Sequence, residues 1–408
     1  MKQHDLVIVG GGIAGGTLAT VMSRAGASVL LLERQSEYHD QVRGEILWPW
    51  GVRLARQLRV EQLLLEAGAQ VIRWFDLHDE GAASPDREDV GAAVAGIDGS
   101  VNITHPTACR VLAAAAASAG AVVGMGVREV DVAAGARPTV RWLDGEGTRR
   151  QVRAELVVGA DGRRSSVRRQ VGTAFEIDKT AHLLAGMLVQ GDAASAQNVN
   201  VQAREADLLF FSFPEEDGKA RLYLFFPTQQ RSRFAGRDGP QRFLRACKLD
   251  CLKGVAAWDR ASPAGPCATF TAEDSRAPQP LAEGVVLIGD AAGYENPLQG
   301  QGLSMALQDV SDVCTALLSG PSWSTTELAA YATARSVRQR LANLGVALEV
   351  WANDGFAVQD PELRAARYDH IRSDHVLAAL EACFMTGFDT LPQDLTRAGL
   401  DARLSDDR

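Results

Sequence analysis

Apolar residues recur along this chain in two rhythms. Leu6-Val7-Ile8-Val9 and Val29-Leu30-Leu31-Leu32 are short unbroken runs. A strand that is apolar at consecutive positions is buried on both faces, as in a parallel sheet covered by helices. Between them, Ile13 to Ala25 is rich in Gly, Ala and Leu and has no breaker, which predicts a helix. Residues 5–33 therefore read as strand, tight turn, helix, strand. Val285-Val286-Leu287-Ile288 is another buried run, and a helix begins near Leu303. It carries Leu303, Leu307, Val310, Val313, Cys314 and Leu317 on one face.

The stretch between these runs has a different pattern. Arg53 to Glu66 spaces Leu54, Leu58, Leu63 and Leu64 as a helix would, and Val111 to Ala119 is nearly all Ala. Residues 127–158 alternate apolar and polar positions, with turn signals at Gly135–Pro138 and Asp144–Gly147. Alternation with such turns predicts antiparallel hairpins. Phe210, Phe211 and Phe213 are separated from Tyr223, Phe225 and Phe226 by the loop-like Glu215-Glu216-Asp217-Gly218. Three units follow: a discontinuous α/β domain over residues 1–175 and 281–320, an antiparallel-sheet domain over 176–280, and a helical region over 321–408, mostly helical from about Ser324. Some strands of the second unit are expected to interleave with the first.

Composition narrows the function. A chain of 408 residues holds two or three domain-sized units. A net charge of −9 argues against nucleic acid, which needs a basic surface. Arg163, Arg164, Arg168 and Arg169 read as a solvated helix face. Of the six cysteines only Cys247 and Cys251 lie close together, so neither a zinc site nor a disulfide framework is expected. The Leu6–Val9 run is too short for a signal core, and no apolar stretch has bilayer length. The expected location is the cytoplasm, where thiols stay reduced.

Candidate chemistry lies in the glycines. Gly10-Gly11-Gly12-Ile13-Ala14-Gly15 is G-x-G-x-x-G between a strand and a helix. Gly10 permits the tight turn, Gly12 lets a pyrophosphate approach the backbone, and Gly15 lets helix and strand pack closely. The helix N-terminus offers free N–H groups to the phosphates. Glu33 ends the next strand, where a carboxylate accepts ribose hydroxyls. Far downstream, Ile288-Gly289-Asp290-Ala291-Ala292 ends a strand with a lone carboxylate suited to a polyol such as a ribityl chain. Pro297 and Gly300-Gln301-Gly302 then open a helix whose N–H groups suit the electron-rich edge of an isoalloxazine ring. A plain nicotinamide dehydrogenase has no need of this second site.

Together with Gly159-Ala160-Asp161-Gly162, these segments resemble the three fingerprints of the class A (group A) flavoprotein monooxygenases, the para-hydroxybenzoate hydroxylase-like family, over about residues 5–318. The resemblance implies an α/β fold: a Rossmann-like FAD-binding domain of GR2 type, an inserted antiparallel-sheet substrate domain and C-terminal helices. It implies one FAD held by Gly10, Gly12, Ile13, Ala14, Gly15, Glu33 and Arg34, and by Asp290, Gly300, Gly302 and Leu303. Asp161 matches the motif linked to FAD and NAD(P)H, and reads equally as a structural turn. Arg43, in Arg43-Gly44-Glu45, matches an Arg that reaches toward the flavin, while Glu45 reads equally as a surface carboxylate. Arg110 matches a cofactor contact or a solvated Arg. Arg43 and Pro297 are the candidates for positioning roles in catalysis, and no metal is expected. Two positions depart from the family: Gly293 stands in the place of a common His, and His105 near that of an Arg. The glycine is shared with flavin epoxidases and geranylgeranyl-type reductases. His105 reads as a catalytic base or as a structural His before Pro106.

The implied reaction uses NADPH or NADH to reduce the flavin and O₂ to form a flavin hydroperoxide, which hydroxylates or epoxidises an apolar, aromatic or polyketide-like small molecule. With a single complete G-x-G-x-x-G, no separate nicotinamide domain is expected, and the assembly is a monomer or homodimer. A reductase of isoprenoid or polyketide double bonds is the main alternative. A halogenase would need a Lys beyond the first loop, yet none lies between Lys2 and Lys179, and Trp48-Pro49-Trp50-Gly51 does not match its tryptophan motif. A disulfide reductase would place redox Cys soon after the first loop, and none precedes Cys109. A non-catalytic flavin-holding module is the remaining reading.

Overall fold

A computed structural model describes residues 2–42, 44–180, 182–191, 199–253, 260–320, 323, 325–353 and 360–405. Among the described residues, the first sheet has eight strands, five of them parallel: β1 (Lys2–Val9), β2 (Val29–Leu32), β3 (Val122–Gly124), β4 (Arg149–Gly159) and β5 (Val285–Leu287). Their spatial order is β5-β4-β1-β2-β3. The unbroken apolar runs have the expected cause. Leu6 and Ile8 enter the large core, Val7 and Val9 a second core on the opposite face. Leu6, Val7 and Ile8 are fully buried, each contributing roughly 1.5–3 kcal/mol. The antiparallel strands Arg128–Ala133 and Thr139–Leu143 extend from β4 and cover that second face.

Helix α1 (Ile13–Arg24) follows β1. The periodicity over Arg53–Glu66 resolves into two helices, α2 (Pro49–Gln57) and a short helix Glu61–Glu66. Arg59 between them is left-handed (φ 56°), and Val60 N donates to Ala55 O at 2.8 Å. This closes α2 with the six-to-one bond of a Schellman cap, which helical spacing does not reveal. The Ala-rich helix α3 runs His105–Ser118, with Pro106 in its first turn.

The second sheet runs Ser262–Pro263, His182–Gln190, Lys219–Pro227, Leu208–Pro214, Val199–Glu205, Trp74–Asp79, Asp86–Asp89. Two of its strands thus come from residues 74–89, and Val199–Glu205 pairs in parallel with Trp74–Asp79. Alternation sorts the aromatics onto two faces. Phe210, Leu222, Leu224 and Phe226 pack under Phe243 of the helix Gly239–Ala246. Leu184, Phe211, Phe213, Tyr223 and Phe225 face the large core shared with the glycine loops.

Helix α4 (Gly302–Ser319) packs on α1 and α2. Helices α5 (Ala329–Ala352), α6 (Pro361–Ser373), α7 (His375–Thr386) and α8 (Arg397–Ser405) complete the chain; Ser324 lies outside the described residues. Trp50 donates to Phe384 O of α7 at 3.0 Å, and Trp48 meets the Phe384 ring edge-on at 4.7 Å.

Candidate active site

Of the first loop's four glycines, Gly12 is open and Gly10, Gly11 and Gly15 are closed. Gly10 is left-handed (φ 108°), and a methyl group added there would overlap the Ala160 carbonyl. One added at Gly15 would overlap the Gly10 carbonyl. Gly12, which caps α1, has nothing within 4 Å of that position. The N-terminus of α1 therefore presents bare backbone to open space, where the helix dipole favours an anion. Glu33 is buried behind it, accepting from Gly11 N at 2.6 Å and Gln35 N at 2.8 Å. Each carboxylate oxygen keeps acceptor capacity for a hydroxyl. Tyr38 donates to Gly11 O at 2.8 Å, so both polar groups of Gly11 are fixed. Burial, reinforced by Glu33, holds the Tyr38 phenol above its ordinary range.

Asp161 follows β4, and its carboxylate accepts from Ser166 N at 2.6 Å, Ser166 Oγ at 2.9 Å, Val167 N at 3.1 Å and the Ser165 hydroxyl. It accepts from the first N–H groups of the short helix Ser166–Gln170, whose N-cap is Ser165. The arginines around it are not one solvated face. Arg164 and Arg169 are exposed, but Arg168 is buried and donates to Ala291 O at 2.8 Å. Arg163 pairs with Glu273 and lies 4.2 Å over the Tyr294 ring. Charge clustering alone does not show that two of the four turn inward toward the third loop.

That third loop meets the first. Gly289 is left-handed (φ 56°), and a methyl added there would lie 3.2 Å from Ala14 Cβ. Gly289 N donates to the buried Asp309 at 2.9 Å, and Asp309 pairs with Arg335 at 2.9 Å. Asp290 sits half-buried in the turn Gly289–Ala291. Gly293 is required by packing: a Cβ would come within 2.6 Å of Ser275 O and 3.0 Å of Arg276 Cα. The turn Pro297–Gln299 follows, and Gly300 leaves it in the left-handed region (φ 62°). Trp48 donates to Gln299 O at 2.9 Å. Gly302 opens α4 with nothing within 4 Å of an added methyl. Two packed helices thus each begin at an uncovered glycine, a cradle that suits a dinucleotide with an anionic pyrophosphate and an electron-rich ring.

Beside this cradle lies a buried ionic cluster. Glu45 is 1% exposed and is no surface carboxylate. It accepts from Arg221 Nε at 2.9 Å and from Tyr223 Oη at 2.5 Å, while Arg221 also donates to Asp40 at 2.7 Å. Burial raises the Glu45 carboxyl to about 7 against the opposing pull of Arg221.

Residues 3–342 match the FAD binding domain family. The chain belongs to that family. It is 31% identical over 316 residues to a rifampicin monooxygenase of Streptomyces venezuelae, covering 75% of this chain and 62% of that protein. It therefore spans less than two thirds of that relative's length. It is 27% identical over 332 residues to a protoasukamycin 4-monooxygenase of Streptomyces nodosus subsp. asukaensis, covering 77% of this chain and 79% of the other. The fold matches p-nitrophenol 4-monooxygenase PnpA of Pseudomonas putida DLL-E4 with a TM-score of 0.77 and 20% identity, covering 94% and 98% of the two chains.

For an FAD binding domain protein the placement of the candidate residues is then specific. Gly10, Gly12, Ile13, Ala14, Gly15, Glu33, Asp290, Pro297, Gly300, Gly302 and Leu303 come together around the ends of α1 and α4. Arg34 and Arg110 are exposed, and Arg110 reaches Thr107 at 3.2 Å. His105 lies 3.6 Å from Cys109 Sγ within α3. Arg43 lies outside the described residues. Pattern reasoning passed over Tyr38, Trp48, Arg221 and Asn296. Arg221 carried a signal: past Lys219 at the strand's start, it is the one charge among Ala220, Leu222, Tyr223, Leu224, Phe225 and Phe226.

Proposed function

We propose that this FAD binding domain protein is a monooxygenase that uses NADPH or NADH and O₂ to hydroxylate or epoxidise an apolar, aromatic or polyketide-like small molecule. The carrying observation is the meeting of the two open helix ends beside the aromatic face of the second sheet. The relatives named as monooxygenases at 31% and 27% identity support the same reading. FAD, when bound, supplies the redox chemistry: it accepts hydride and activates oxygen.

The chain's own residues bind, orient and exclude water. The N-terminus of α1 at Gly12 takes the pyrophosphate, Glu33 a ribose hydroxyl, and Asp290 the ribityl chain. The N-terminus of α4 at Gly302 polarises the ring edge. Ile13, Ala14 and Leu303 shape the walls and Pro297 sets the turn, while Arg34, Arg43 and Arg110 are assigned to the cofactor on the family resemblance alone. Asp161 acts through its bonds to the first N–H groups of Ser166–Gln170, which Arg168 ties to Ala291. Phe211, Phe213, Tyr223 and Phe225 give the substrate an apolar wall and keep the site dry.

Packing explains Gly293, since Ser275 and Arg276 leave no room for a side chain, so this position does not point to a reductase. All six cysteines are thiols, which supports a reducing, cytoplasmic setting. The test is NAD(P)H oxidation by the purified yellow protein across a panel of aromatic and polyketide compounds under ¹⁸O₂. Label in the product is expected. Reduced, unlabelled product would overturn the proposal in favour of the reductase.

A further inference from the structure

Asn296 stands immediately before the turn Pro297–Gln299, and every polar group of its side chain is engaged. Its Oδ1 accepts from Leu298 N at 3.1 Å, inside the turn. Its Nδ2 donates to Ala272 O at 2.7 Å, and its backbone N donates to Asp274 at 2.8 Å. The same Oδ1 lies 3.3 Å from His182 Nε2. Because Nδ2 is committed to a carbonyl, Oδ1 is an acceptor only, so Nε2 of His182 is the donor. Burial lowers the His182 pKa to about 4, which keeps the ring neutral with its proton on that nitrogen.

The partners belong to two different parts of the molecule. His182 opens the strand His182–Gln190, and Ala272 follows the strand Ala268–Thr271 that pairs with it. Both are in the second sheet. Leu298 belongs to the turn ahead of Gly302. The His182 ring lies 5.6 Å from that of Phe225, which shares the inner aromatic face with Tyr223 and Phe211. On its far side the turn is held by Trp48, through Gln299 O. A short chain of contacts therefore runs from the aromatic face, through His182 and Asn296, to the backbone that opens α4.

We propose that His182 and Asn296 are positioning residues that join the substrate-facing sheet to the flavin-facing turn. The pair touches neither cofactor nor substrate; it sets where the Pro297–Gly302 backbone stands relative to the ring and shifts it when the aromatic face is loaded. This rests on the reading that the turn faces the flavin.

The test compares holoenzyme variants His182→Phe, His182→Gln, Asn296→Asp and Gly302→Val by flavin visible spectrum, flavin midpoint potential, FAD dissociation constant and kcat for NADPH oxidation. His182→Phe, which loses the donor, is expected to shift the visible band and the potential and to lower kcat about tenfold, with the FAD dissociation constant within about twofold of the parent. His182→Gln, which restores a donor of similar reach, is expected to recover both. Asn296→Asp keeps the Leu298 cap and the acceptor for His182 but breaks the second tie to the sheet, the Ala272 bond, and should shift the same readouts in the same direction; it decides the matter if His182→Phe does not fold. An unchanged spectrum, potential and kcat in His182→Phe or Asn296→Asp overturns the proposal, as does equal loss in the Gln and Phe variants. Gly302→Val separates the two readings. If it leaves the spectrum unmoved, the turn does not face the flavin; if it moves the spectrum while the His182 variants do not, only the relay fails.

Discussion

Gly289 faces Ala14 closely: a methyl group built on Gly289 would sit 3.2 Å from Ala14 Cβ, although the two residues lie far apart in the chain. The loops are thus too close for a side chain at Gly289 to be added without parting them. Gly289 is also left-handed (φ 56°), where an added Cβ costs about 1–2 kcal/mol. Gly289→Ala is expected to lower stability by about that amount and to weaken FAD roughly tenfold, about 1.4 kcal/mol, by parting the loops. Urea unfolding and fluorescence titration with FAD check the two effects.

The glycines of the first loop should separate folding from binding. A side chain at Gly12 enters open space, so Gly12→Val is expected to keep the melting temperature of the FAD-free protein. It should weaken FAD by on the order of a hundredfold by blocking the helix end. Gly10→Ala, in a left-handed conformation against the Ala160 carbonyl, is expected to impair folding itself. Thermal melts with and without FAD distinguish the pair.

Acidification should expose the buried His182. Its folded-state pKa of about 4 lies below the ordinary 6.5, so its contribution to stability is present above pH 6.5 and is lost as pH falls toward 4. Asp274, raised to about 6 by burial, changes in the opposite direction between pH 6 and 3.8. The comparison is therefore between wild type and His182→Gln. Wild type should lose on the order of 2 kcal/mol more than the variant between pH 7 and 4.5, read from denaturant unfolding at each pH.

Arg221 is fully buried between Glu45 and Asp40. Arg221→Met removes the cation and strands both carboxylates, which is expected to cost about 3–5 kcal/mol. Replacing Arg221 and Glu45 together with Met and Gln should recover a large part of that loss, because no unpaired charge remains at Glu45. Urea midpoints for the two single variants and the double variant measure the coupling.

The α/β architecture was legible because its signals are local. A parallel strand buried on both faces shows itself as an unbroken run, as Leu6–Val9 and Val285–Leu287 do, and each glycine loop lies directly beside its strand. The role of Glu45 was not legible. A carboxylate two residues from an Arg in a polar segment looks solvated, and only the fold brings Arg221 across from another sheet. Trp74–Asp79 was missed as a strand because its parallel partner, Val199–Glu205, lies far along the chain. Asn296 was passed over because three of its four partners, His182, Ala272 and Asp274, lie far from it in the chain.

The entry of β5 as the last strand of the parallel sheet bears on how the chain matures during synthesis. Until Val285–Leu287 leaves the ribosome, the C-terminal end of β4, Val157–Gly159, lacks its strand partner on that side, and the carboxylate of Asp290 does not yet exist. A nascent chain at that stage is expected to offer a sticky edge to its neighbours and, on the proposed role of Asp290, to hold FAD poorly. Truncations that end before residue 285 should collect in inclusion bodies, and cofactor loading becomes a late checkpoint in the life of each molecule.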